Sequence, residues 1–533
     1  MRPRFSLPES MKPTLPQLSR LCLALGILFA LVLAPLQTAP EGWKYSKAHA
    51  GFFSDELEIF EEILDLVAEK YVYPPNYQKM FTTAIDQMLE LAPEGGLTLR
   101  NQGLGRRIDK TGAHLIYHLN FSRQDNMRSL RQVYRFLLKH FSRQIEDTAL
   151  EESAIIGIMG SLDPYSLFMG REEFENSMRD TEGQYGGLGM VIAMEDYQLV
   201  VVKTMKASPA RRAGMEPGDI ITHVDGEKIH GLQIHELASR LRGYPDTQVS
   251  LRILRPQSGE RKTFSMVREI ISIETVQYRM LEDGTGYIKI SSFSKRTNDE
   301  LESALADARN HAVKAFILDL RDNPGGLLNQ SVLVASHFLE EGKLVVYTRG
   351  RHKRDSQEYE ALDQESFHYL PVAVLINHHS ASASEIVAGS LRDSGKAVLI
   401  GETSYGKGSV QTIYKMSDGS GLRLTTSKYF TPSGTDISER GVIPEILIEK
   451  DLPPDPPTSR EPTTTAPAAE AENAAMQIKE SELQKYLKDR GIHPDKETDP
   501  LVHFAQLVLK DTPFATRSHT LARARELVQE IHY

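Results

Sequence analysis

Pro371-Val372-Ala373-Val374-Leu375-Ile376-Asn377-His378-His379-Ser380-Ala381-Ser382-Ala383-Ser384-Glu385-Ile386-Val387-Ala388-Gly389-Ser390-Leu391 is the stretch that decides the fold. Its first six residues form an apolar run of the kind that makes a buried strand. Residues 385–391 read as a helix with small hydroxyl residues at its mouth. A serine between strand end and helix start lies beside unpaired backbone N–H groups and the positive end of a dipole. That place suits a serine that must become an alkoxide-like nucleophile, and it suits an ordinary helix cap equally. The same strand–turn–helix grammar surrounds it. Residues 315–320 read as a buried strand ending in Arg321-Asp322-Asn323-Pro324-Gly325-Gly326, and 327–339 as a helix. Strands are expected near 344–347, 372–376, 397–400, 409–414 and 422–429, which makes 273–450 an α/β domain.

The whole chain has 533 residues, too many for one core, and implies roughly three or four domains. A net charge of −10 leaves no basic footprint for nucleic acid. The single cysteine, Cys22, excludes an intramolecular disulfide and any metal site with more than one thiolate, and no cofactor is expected. No H-x-x-x-H or H-E-x-x-H occurs, so a zinc protease is unsupported and no metal site is expected. Residues 1–50 resemble a targeting segment: Arg2, Arg4, Lys12 and Arg20 precede an apolar run over 21–36, followed by Ala48-His49-Ala50. Cleavage there, or retention as an N-terminal anchor, both imply an exported body.

On the N-terminal side, residues 51–180 read as helical. Leu57, Phe60, Ile63, Leu64 and Val67 give one apolar face, Tyr73-Pro74-Pro75 breaks it, and helices follow over about 78–91 and 128–161. The polar, basic section 94–128 has no assignment from its own residues; it reads as an insertion only against the family resemblance drawn below. From Gly183 short strands with glycine punctuation take over. Gly187-Leu188-Gly189-Met190, Ser208-Pro209-Ala210 with Ala213-Gly214, Gly218-Asp219-Ile220-Ile221 and Val224-Asp225-Gly226 occur in an order that looks like a PDZ domain, over 183–270. In that reading Gly187 to Met190 offer N–H groups to a peptide's terminal carboxylate, and the neighbouring strand edge takes the peptide as an extra strand. Arg242 is either a solvated helix-end arginine or a link from this unit to the catalytic domain. Beyond Lys450 a Pro/Thr/Ala-rich linker runs to 475, and 476–533 regains helical spacing in stripes too small for a core of their own. Those stripes should dock on the body or on a second subunit.

A serine nucleophile needs a base and an oxyanion site. His378 and His379 are close in sequence to Ser382 but better placed to flank it. The other usable base is Lys407, in Gly406-Lys407-Gly408-Ser409-Val410-Gln411; a lysine there is by default exposed, yet its glycine flanks let it point into a site. If the strand is regular, Gln411 shares a face with Lys407 and its amide oxygen can hold the amine. The set S-A-S-A-S-E-I, G-K-G-x-V-Q and D-L-R-x-N-P-G-G, with Ser161-Leu162-Asp163-Pro164 before the PDZ-like unit and Tyr429-Phe430-Thr431-Pro432 after Lys407, resembles the C-terminal processing peptidases. These are PDZ-containing Ser–Lys proteases similar to the tail-specific proteases of bacterial periplasms. The match spans about 150–450.

The resemblance implies an α+β multidomain chain: a helical N-terminal region, a PDZ domain, a ClpP/crotonase-like α/β protease core and a helical tail. It implies Ser382 as nucleophile, Lys407 as base and Gln411 as its orienting group, with backbone N–H groups of Ala383, Gly325 and Gly326 as oxyanion donors. Ser380 and Ser384 return to turn and cap. The expected partners are protein substrates with apolar C-termini, an adaptor lipoprotein and further copies of the chain through its helical ends. The expected location is the periplasm. Two rivals are a PDZ adaptor with a dead protease domain and a crotonase-like acyl enzyme. Retention of Ser382, Lys407 and Gln411 argues against the first, and the PDZ unit with a lysine base against the second.

Overall fold

Val372–Ile376 is the middle strand of a seven-stranded sheet. In a computed structural model, which describes residues 56–103, 105–438, 440–451, 475–492, 499–510 and 517–532, the sheet runs Val276–Met280, Thr285–Ile290, Ala315–Asp319, Val372–Ile376, Ala397–Gly401, Ile446–Glu449, Met476–Lys479. The expected leader, with Cys22 and Ala48-His49-Ala50, and the linker over 452–474 lie outside the described residues. The first two strands are antiparallel and every later neighbour is parallel. The three central strands are buried at every position, which is why they read as continuous apolar runs rather than alternating ones.

Successive side chains of a strand face opposite ways, and each face has its own core. Phe316, Leu318, Val372, Val374 and Ile376 pack with the helices Thr297–Asn310, Leu328–Ser336 and Ala383–Asp393. Ile317, Ala373 and Leu375 face the tail: Leu483, Phe504, Val508 and Leu527, from Glu480–Asp489, Pro500–Leu509 and Arg517–His532. The tail therefore docks on the body. It also adds the edge strand Met476–Lys479, which the helical spacing did not foretell, and Arg321 bridges Asp319 to the tail's Asp499 at 2.5 Å.

The expected helix over 128–161 is two, Arg123–Phe141 and Asp147–Ser161, because the chain leaves the helix to bury Ile145. Section 94–128 holds an antiparallel meander, Thr98–Gln102, Gly105–Lys110 and Ala113–Tyr117, and then the first turn of the next helix. Ile108 and Tyr117 anchor it, whereas the first strand is exposed throughout and so shows no alternation. The N-terminal helices do not close on themselves. Their core includes Met416, Leu422 and Leu424, from the hairpin Ser409–Lys415 and Gly421–Phe430 of the α/β domain. Val72 N–H donates to Thr425 O at 3.0 Å, and Leu167–Met169 pairs with the start of the second hairpin strand.

The PDZ-like unit is a sheet in the order Glu260–Val267, Gln248–Arg255, Ile220–Val224, Gln198–Thr204, Met190–Glu195, closed by the helix Ile234–Leu241. The chain enters it through Gln184–Gly187 and leaves through Glu269–Ser272, and these two strands pair with each other.

Candidate active site

Ser382 occupies the N-cap position of Ala383–Asp393 with φ 56° and ψ −114°, a sparsely populated conformation for a residue with a Cβ. Its side chain makes no cap hydrogen bond. Its neighbours behave differently. Ser380 Oγ donates to Leu320 O at 2.8 Å and accepts from Asn377 N–H at 2.9 Å. Ser384 Oγ donates to Asn323 O at 2.9 Å. Both are fully buried, and Ser382 alone of the three keeps some exposure. Ser380 and Ser384 stitch the turn to the loop after Ala315–Asp319; Ser382 does not.

That upstream loop is pressed against the turn. A Cβ on Gly325, whose φ is +99°, would lie 2.6 Å from Ala381 O, 2.8 Å from Ser382 Cβ and 3.0 Å from Ala383 N. Only glycine fits there. The Asn323 carboxamide fixes the loop by donating to Ile290 O at 2.8 Å and accepting from Gly325 N–H at 2.9 Å. Of the two expected oxyanion glycines, Gly325 thus has its N–H committed to Asn323, whereas Gly326 N–H makes no hydrogen bond among the described residues.

Lys407 is half-buried in the loop between Ala397–Gly401 and Ser409–Lys415. Burial, with Arg423 nearby, lowers its amine below the ordinary lysine value. The Nζ lies 5.1 Å from the centre of the Tyr165 ring, contributed by the 161–166 turn that Asp163 ties down. Among the described residues no hydrogen bond joins Lys407 to Gln411 or to Ser382 Oγ; Gln411 Nε2 donates to Ser409 Oγ at 2.8 Å. The regular strand needed to align Lys407 and Gln411 is not formed: Lys407 precedes the strand, and the register shifts between Val410 and Gln411. His378, at 2.5 Å from Glu402, is exposed and committed elsewhere.

Two residues that lie inside the quoted motifs, and to which the sequence reading gave no role, join these parts. Glu385 is fully buried. Its Oε2 accepts the N–H of Ser382 at 2.7 Å and of Lys407 at 3.0 Å; its Oε1 accepts Gly406 N–H at 2.7 Å and Ser404 Oγ at 2.5 Å. Tyr429 Oη approaches the carbonyls of the same two residues, Ser382 at 3.1 Å and Lys407 closer still. A signal for Glu385 was present in Ser382-Ala383-Ser384-Glu385, the spacing of a capping box. None marked Tyr429's side chain.

In the PDZ unit, a cleft of about 260 Å³ opens between the edge strand Met190–Glu195 and the helix Ile234–Leu241. Leu188, Gly189, Met190, Ala238, Leu241 and Arg242 line it. Gly187 does not: it pairs with Glu269 in the strands leading in and out. Arg242 lies over the Tyr185 ring, 4.9 Å from its centre, and Tyr185 belongs to the entry strand.

Residues 284–448 match the model of peptidase family S41, and 200–255 match a PDZ domain model. The chain is 40% identical over 312 residues to the carboxy-terminal-processing protease of Bartonella bacilliformis, covering 58% of this chain and 71% of that protein. It is 34% identical over 321 residues to the carboxy-terminal processing protease CtpA of Bacillus subtilis, covering 60% and 68%. Among solved structures it is similar to a photosystem II D1 C-terminal processing protease, at 25% identity, TM-score 0.41, covering 74% of this chain and 93% of that one. With a PDZ unit entering and leaving just ahead of an α/β core of this kind, the chain belongs to the C-terminal processing peptidases of family S41 and is a serine-type endopeptidase.

Proposed function

We propose that the protein is an exported endopeptidase that captures apolar C-termini in its PDZ cleft and cleaves nearby peptide bonds through Ser382 and Lys407. The observation that carries this reading is the strained Ser382 turn, whose hydroxyl, unlike those of Ser380 and Ser384, is not tied to the neighbouring loop, while Glu385 ties its backbone to that of Lys407. Neutral Lys407 accepts the Ser382 proton as Oγ bonds to the scissile carbonyl carbon. The oxyanion that forms is held by the N–H groups of Ala383 and Gly326, worth about 3–4 kcal/mol in the transition state. The Lys407 ammonium then gives its proton to the departing amine, the C–N bond breaks, and an ester on Ser382 remains. Water, deprotonated by Lys407, attacks that ester, the Ser382 Oγ–C bond breaks, Oγ takes the proton back from the Lys407 ammonium, and the acid leaves. Gln411, with its NH₂ held by Ser409, has its carboxamide oxygen left to accept from the amine. The productive state therefore needs Lys407 to turn from Tyr165 toward Ser382.

The cleft supports tail capture because its walls are apolar and the edge strand has one side unpaired within its sheet. Export rests on the segment before residue 51, and an adaptor lipoprotein and self-association remain part of the same reading. The test is cleavage of an unfolded protein ending in apolar residues beside a version with a charged tail. Wild type should favour the first and Ser382→Ala should cut neither. Cleavage that persists in Ser382→Ala sinks the dyad, and equal cleavage of both tails removes the cleft as selector.

A further inference from the structure

We propose that Glu385 and Tyr429 are positioning residues that together set the separation of Ser382 and Lys407, an inference that rests on the Ser382–Lys407 reading above. The paired strands Val372–Ile376 and Ala397–Gly401 bring the loops of Ser382 and Lys407 side by side, and Tyr405 N–H donates to Ser380 O at 3.0 Å. Glu385 and Tyr429 add the contacts made to the backbones of Ser382 and Lys407 themselves. One carboxylate oxygen takes the N–H of both residues, and one phenol approaches the carbonyl of both. Glu385 thereby joins the two donor ends through one oxygen, and the two acceptor ends gather around one phenol, whose single hydrogen serves one carbonyl at a time.

The donor pattern requires Glu385 to be ionised. Ser404 Oγ accepts Val442 N–H at 2.6 Å, so its own hydrogen points to Glu385, and the other three partners are backbone N–H groups. A protonated acid or an amide would turn a hydrogen toward one of these donors. Burial pushes the Glu385 carboxyl upward, and the four donors pull against that. Glutamine is therefore nearly the same shape and the wrong chemistry: it breaks either the Oε1 or the Oε2 arm. Tyr429 is buried by the surrounding core and its phenol is raised well above the ordinary value, so it stays a donor at working pH.

The Glu385 charge has a second effect, because it favours the ammonium form of Lys407. The other groups that bear on that amine are Arg423, which opposes the charge, Tyr405 and Asp163, which favour it, and the Tyr165 ring. Removing the Glu385 charge should therefore move the acid limb of kcat/KM to lower pH, which a purely structural defect would not do.

The experiment measures fluorophosphonate labelling of the serine, kcat, KM and their pH profiles in the full chain for wild type, Glu385→Gln and Tyr429→Phe, with Ser382→Ala as reference. Persistent labelling or cleavage in Ser382→Ala overturns the dyad reading on which the inference rests. With that reference dead, Glu385→Gln should label roughly 10²-fold slower, the cost of a small misplacement, with KM unchanged and the acid limb shifted to lower pH. Tyr429→Phe should label roughly tenfold slower with the limb in place. A folded Glu385→Gln that labels within about threefold of wild type, its limb unmoved, overturns the positioning role. If that variant does not fold, Tyr429→Phe decides, and labelling within about threefold of wild type is again the overturning result.

Discussion

The nucleophile turn and the PDZ cleft are built on opposite plans. Around Ser382, hydroxyls, a carboxamide and a carboxylate are spent on the backbone, and glycine is required because there is no room for a methyl group. The cleft is lined by side chains of ordinary strand and helix and bordered by an unpaired strand edge. The difference teaches where precision is needed. Bond cleavage tolerates little misplacement of the reacting atoms, whereas a groove that accepts many tails gains from an open edge and apolar walls.

Damage to the first region should therefore show in kcat and damage to the second in KM. The largest effect is expected for Gly325→Ala, whose methyl would meet Ala381 O at 2.6 Å and Ser382 Cβ at 2.8 Å. It should lower kcat roughly 10²-fold and stability by about 1–3 kcal/mol, read by turnover and urea denaturation. Wild-type kcat in a folded Gly325→Ala would break the contrast.

Next comes pH. In the proposed mechanism only neutral Lys407 serves as base, so kcat/KM should be full above its lowered value and fall about tenfold per unit as pH drops below it. The linkage to stability has the same direction. A lysine whose folded value lies below its unfolded value leaves the unfolded chain holding more protons between the two, so stability falls as pH falls through that window. Activity that stays level down to about pH 5 would remove the lysine base.

In the cleft, Ala238→Glu places a carboxylate among apolar walls and should raise KM for apolar-tailed substrates roughly tenfold, with kcat kept. A kcat loss as large as the KM change would mean the two regions are not separable. The smallest effect is expected for Arg242→Ala. It should lower kcat roughly threefold on tailed substrates and leave short tail-less peptides unaffected, because Arg242 stacks on the strand that joins the PDZ unit to the rest. A rise in KM for tailed substrates with kcat kept would confine Arg242 to the cleft wall.

The same contrast governs what could be read from the sequence. The core sheet was legible because Ala315–Asp319, Val372–Ile376 and Ala397–Gly401 are buried at every position, and an unbroken apolar run survives as a signal. Thr98–Gln102 was not, since a strand exposed on both faces leaves no alternation. Met476–Lys479 is too short to register before the helix that follows it. At the site, motif order pointed to the loops of Ser382 and Lys407. Tyr429 stayed invisible because its role lies in hydrogen bonds to residues far away in sequence, which no local period records. The proposed alignment of Lys407 with Gln411 assumed a strand without a bulge, and the bulge falls between Val410 and Gln411.

Met416, Leu422 and Leu424 bury themselves among the N-terminal helices, so the ribbon beside Lys407 is backed by residues more than two hundred positions earlier in the chain. Contacts of such long sequence separation form late, after the closure entropy of the intervening chain has been overcome. The base loop therefore acquires its final backing only when most of the polypeptide has been made.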